Sequence, residues 1–136
     1  MIQKLVRHSL TPILGACALL VLSVPAFAGD SAKEAATAAT HAGIAAKSAG
    51  LQQVHMHLHH VVNCLVGPKG EGYDADQANP CKDLGDGAIP DARSPEQRAT
   101  LEAALAAAKL GLASNDLDEA QKQALETEHQ LRSLTM

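Results

Sequence analysis

Four of the chain's seven histidines fall within six residues, in the run His55-Met56-His57-Leu58-His59-His60, and Cys64 follows four positions later. Imidazole nitrogen is the commonest protein ligand for zinc, copper and nickel, and a histidine-rich tract reads first as a metal site. The other chemistry-bearing types are sparse. The chain has three cysteines, one tyrosine and no tryptophan. It lacks a G-x-G-x-x-G run, a phosphate loop and a nucleophile motif, and no local sequence joins serine, histidine and acid into a triad. A catalytic metal would also need a substrate pocket, which helices of alanine and leucine do not suggest. The chain therefore reads as a binding protein rather than an enzyme.

The elements around the tract decide which imidazoles can cooperate. Leu51, Val54, Leu58, Val61 and Leu65 recur at spacings of three and four, which is one apolar stripe of a helix. On that wheel His55 and His59 stand one turn apart on one flank, and His57, His60 and Cys64 line the other. Only i, i+3 and i, i+4 neighbours lie side by side on a helix, so the tract predicts two bidentate half-sites rather than one four-histidine site. A strand would group His55, His57 and His59 instead, but the stripe argues against it. Copper is the first metal expected, because imidazole with the Met56 thioether suits it and it heads the affinity order; zinc and nickel follow.

Met1 to Ala28 reads as a secretory signal. Lys4 and Arg7 form its basic start, Ile13 to Val24 its apolar run, and Ala26-Phe27-Ala28 a small-residue cleavage site before Gly29. The apolar run is shorter than the ~20 residues of a membrane span, and it continues past Cys17, where a lipidation site would end it. Cleavage leaves 108 residues, one domain, in the periplasm or the medium. Loss of Lys4 and Arg7 moves the formal net charge from −4 to −6. With no basic cluster left, nucleic acid and anionic membrane surfaces are excluded as partners. Composition leaves self-association open.

The sequence predicts an all-α fold, a small antiparallel three-helix bundle. Asp30 or Ser31 caps a long first helix, with Ser31 and Glu34 fitting a capping box. That helix runs from about 31 to 65 and stops at Gly67-Pro68, with Gly43 and Gly50 as weak points and a bend or break near Gly50. A loop over 67–93, rich in Gly, Pro and Asp, is expected to have little order beyond a Cys64–Cys81 disulfide, the simplest fate of two thiols in an exported chain. Thiolate ligation of the metal by the same cysteines is the alternative. The loop's aspartates do not fit a calcium loop, since the alignment from Asp74 lacks the required Gly and Glu. Ser94-Pro95-x-Gln97 opens a helix over 95–112, and Asp116 with Glu119 opens another over 116–134.

The short link between the last two helices makes them antiparallel and carries His129 to about the level of His57 and His60. His129, with Glu126 or Glu128, is then the expected ligand from outside the tract. His41, on a continuous first helix, would lie on the order of 36 Å from the helix top and take no part. The expected metal ligands are thus His55, His57, His59, His60 and His129, for buffering, delivery or sensing of the ion. Two other readings fit the same residues: a structural or interaction module whose histidines bind nothing, and a helical bundle holding haem non-covalently, since C-x-x-C-H is absent.

Overall fold

The computed structural model describes residues 29–135, so the expected signal segment, 1–28, lies outside the described residues. Among these there are four helices and no strand: α1 (Ser31–Lys47), α2 (Leu51–Val66), α3 (Pro95–Ala113) and α4 (Leu117–Ser133). The expected all-α class is present, but the expected long first helix is two helices. It breaks at Ser48-Ala49-Gly50, where Ser48 and Gly50 both take extended backbone, with ψ of 133° and 142°. The freed groups are met locally and across the fold. Ser48 N–H donates to Ala45 O at 3.1 Å, Ser48 Oγ to Ile44 O at 2.9 Å, and Gln121 Nε2 of α4 donates to Ser48 O at 2.8 Å.

This break turns α1 and α2 into an antiparallel hairpin, matched by the α3–α4 hairpin. Ser48 meets Gln121, and a Cβ on Gly43 would lie 2.7 Å from Glu128 Oε1, so α1 and α4 also run antiparallel. His55 meets Ser114, and a Cβ on Gly111 would lie 2.6 Å from Leu58 Cδ1, which sets α2 against α3 in the same sense. The result is a four-helix bundle in place of the expected three. Its core is made of small side chains: Ala35, Ala38, Ala39, Ala42 and Ala45 of α1 are buried against Val54, Leu58, Val61 and Leu65 of α2. No helix among the described residues is long and apolar enough to cross a membrane.

The caps at Ser94 and Asp116 form as the sequence predicts, each side chain accepting from the backbone N–H three residues on. The first helix differs. Asp30 is its N-cap, and Glu34 closes no capping box but turns inward to accept from Gly87 N–H at 3.0 Å.

The 67–94 connection is ordered well beyond its disulfide. Cys64 and Cys81 are bonded, with Cα atoms 5.1 Å apart. One helical turn of α2 then organises the rest. Asn63, fully buried, accepts from Asp74 N–H at 2.9 Å and donates to Asp74 O at 2.9 Å, with Gln77 O and Ala78 O at 3.3 and 3.2 Å. Ala88 and Ile89 donate their N–H groups to Cys64 O and Leu65 O, carbonyls the end of α2 would otherwise leave unpaired. Gly67 takes a φ of 67° at the helix end, the left-handed turn that favours glycine.

Candidate metal centre

The hairpin determines which histidines meet. His41 and His57 lie eight residues before and after Ala49, so folding the chain at that link sets them at one level, about 12 Å from the turn. His60 follows His57 by three residues, on the same flank of α2. His41 Nδ1 stands 3.3 Å from His57 Nδ1 and 3.4 Å from His60 Nδ1. The three rings enclose a space with centroids 5.1–5.5 Å apart, His60 standing edge-on to the other two. One nitrogen from each histidine lies within 4.8 Å of the others, and this is the one group of three or more ligand-type residues so arranged among the described residues.

Those separations have a coordination meaning. In a tetrahedral site the ligand–ligand edge is about 1.6 times the bond, hence roughly 3.3–3.4 Å for metal–nitrogen bonds of about 2.0–2.1 Å. Both edges at His41, 3.3 and 3.4 Å, match it. Hydrogen bonding satisfies the same geometry poorly. A ring nitrogen carries either one proton or one in-plane lone pair, so His41 Nδ1 cannot bond well to two imidazoles at once. A cation at the centre satisfies all three lone pairs together. The three side chains are half-buried. Burial, followed by repulsion from His60 and His57, pushes the His41 imidazole below its ordinary pKa; burial and then His57 and His59 do the same to His60. Both shifts favour the neutral ring, the form that ligates.

The remaining expected ligands lie elsewhere. His55 donates through Nε2 to Ser114 O at 2.9 Å, since a carbonyl can only accept. His59 Nδ1 lies 3.3 Å from Asp74 Oδ2, on the loop that Asn63 holds. His55, Met56 and His59 line a shallow groove of their own with Gln52, Gln77 and Asn115. The Met56 thioether that favoured copper thus belongs to that groove and not to the triad. His129 is exposed on α4 beside Lys122, Leu125 and Glu126. It is not one of the converging three. Cys64 and Cys81, joined to each other, offer no thiolate.

His41 is the candidate ligand that the sequence reading left out. The continuous helix assumed for 31–65 placed it far from the tract, whereas the break near Gly50 brings it to the centre. The signal for it was the equal spacing of His41 and His57 about Ser48-Ala49-Gly50. No family model matches this chain, and neither does any curated protein or solved structure.

Proposed function

We propose that this protein is an exported carrier or buffer of a transition-metal ion, held by His41, His57 and His60 with a fourth coordination position open. The observation that carries it is that one nitrogen of each ring lies within 4.8 Å of the others, with the His57 and His60 Nδ1 atoms 3.3 and 3.4 Å from His41 Nδ1, which are tetrahedral edge lengths. An all-imidazole set of this shape suits Zn(II) and Cu(I), d10 ions without a preference for square-planar ligands, and suits Ni(II) less. Zinc is favoured by the geometry, because the affinity order that heads with copper is that of the divalent ions and Cu(II) prefers tetragonal ligands. Half-buried ligands and an open position fit an ion that is taken up and handed on, since structural zinc sites close all four positions. Among the described residues the group consists of three imidazoles with no carboxylate or thiol in it, which supports binding rather than catalysis.

The test is competition titration of the exported protein with Zn(II), Cu(I) and Cu(II). One ion per chain at micromolar affinity or better, lost in His41→Ala, is expected. Co(II) in place of zinc should give the intense visible bands of four-coordination. Retention of wild-type affinity by His41→Ala overturns the site, and binding no tighter than that of an unfolded peptide of like composition overturns the function.

A further inference from the structure

At the opposite end of α1 from the hairpin turn, two carboxyl groups meet, one of them buried and the other, Asp91, half-buried. Glu34 is fully buried; its Oε1 accepts from Gly87 N–H, and its Oε2 has no hydrogen-bond partner among the described residues. Asp91 Oδ2 accepts from Asp86 N–H at 2.8 Å. Gly85 lies between the two acids, since a Cβ on it would meet Asp91 Oδ2 and stand 3.0 Å from Glu34 Oε1. Gly29 is buried against this same spot. A Cβ on Gly29 would run into Asp91 Oδ2 and lie 2.8 Å from Gly85 Cα, and the next residue is pinned by its N–H to Leu84 O at 3.0 Å.

Among the described residues no side-chain cation forms an ion pair with Glu34 or Asp91. Lys33 pairs with Asp30 at 3.1 Å, Lys69 with Asp86 at 3.6 Å, and Arg93 acts on Asp30. A buried carboxylate without a counter-charge is strongly disfavoured. Burial first, then the charge of Asp91 and hydrogen bonding to it, and then the charge of Asp86 push the Glu34 carboxyl up to about 7, against the lowering effect of the Gly87 N–H.

We propose that cleavage after Ala28 supplies the missing cation: the new α-ammonium group of Gly29 becomes the partner of the Asp91 and Glu34 carboxyls, so that processing completes the fold. A signal-cleaving endopeptidase hydrolyses the Ala28–Gly29 amide with one water. The C–N bond breaks, Ala28 leaves as a carboxylate, and the Gly29 amine takes up a proton. The nitrogen is one bond from a Cα already packed on Asp91 and Gly85, and glycine is the residue whose lack of a Cβ permits that approach. Before cleavage the same nitrogen is an uncharged amide.

The sign of the effect follows. An uncleaved chain gains stability from neutral Glu34 that is full below the unfolded pKa of about 4.5 and is lost as pH rises through about 7. With the ammonium beside it, Glu34 ionises at lower pH and the stability persists through neutrality.

The full chain, exported from a bacterial host, should yield a product whose first residue is Gly29 by mass spectrometry. Its Glu34 carboxyl, followed by carbon-13 NMR, should titrate at least one pH unit below that of the same protein acetylated on the α-amine and refolded. The acetylated protein should also lose thermal stability between pH 5 and 8 where the free-amine form does not, and Glu34→Gln should erase that difference. A chain with one extra residue ahead of Gly29 should behave like the acetylated one. An N-terminus other than Gly29, or equal Glu34 midpoints in the free and blocked forms, overturns the proposal.

Discussion

His41 Nδ1 and His57 Nδ1 stand 3.3 Å apart although sixteen residues and a helix break separate them. That distance is the product of a turn rather than of local spacing, and it makes the two arms of the hairpin jointly responsible for the site.

Removal of a single arm's contribution should therefore be decisive. His41→Ala, His57→Ala and His60→Ala are each expected to weaken zinc or copper binding by ~100-fold or more, equivalent to about 2.7 kcal/mol. His55→Ala, His59→Ala and His129→Ala should stay within about threefold of wild type. Isothermal titration of all six variants separates the triad from the tract, and equal losses at His55 and His41 would return the site to the tract.

Binding should also resist mild acid. Because burial holds His41 and His60 below the ordinary imidazole range, affinity should change little on lowering the pH from 7.5 to 6.5 and then fall steeply. The metal-free protein follows the same sign. Its folded-state imidazoles bind protons less readily than the unfolded chain, so their contribution to stability is full above pH 6.5 and is lost as pH falls through their depressed values. Thermal unfolding of the metal-free protein from pH 8 to 5 reads this directly, and an unchanged midpoint would refute it.

Asn63→Ala is expected to cost about 2–4 kcal/mol, because it deletes a reciprocal pair of bonds to Asp74 and strands buried backbone groups. Hydrogen exchange should show residues 74–81 opening first. Reduction of Cys64–Cys81 should cost roughly 3 kcal/mol by the chain-entropy model, with Cys64→Ser alone equal to the double variant. If the loop stays protected in Asn63→Ala, the disulfide rather than the amide orders it.

Gly50→Ala should be nearly neutral, within about 1 kcal/mol, and should leave metal affinity intact. Gly50 has an extended backbone with φ of −135°, open to any residue, and an added Cβ would meet nothing within 4 Å. A large loss of binding in this variant would mean that glycine itself, and not the packing of α1 on α4 through Ser48 and Gln121, makes the turn.

Much of this architecture was legible in the residues. The apolar stripe of α2 placed His57 and His60 on one flank and His55 and His59 on the other. The Ser94 and Asp116 caps, and the two cysteines, marked features the structure contains. What was not legible was competition between levels. The alanine-rich stretch over 33–46 makes a continuous helix look natural, while the gain from folding α1 back on α2 is tertiary, alanine against valine and leucine, and leaves only a weak mark at Ser48-Ala49-Gly50. The ordering of the long loop was hidden likewise in Asn63, a residue whose side-chain amide imitates a strand edge inside the fold.

The three-residue link between α1 and α2 acts as a ruler. One residue added to the end of α1 would rotate His41 by about 100° and lift it about 1.5 Å relative to its partners, enough to scatter the ligands while leaving both helices formed. The long 67–94 connection carries no such constraint on the triad. Length variation in the connection should therefore be read in stability, through the contacts that Asn63 and Glu34 make with it, whereas one residue at the hairpin should be read first in the loss of the proposed metal site.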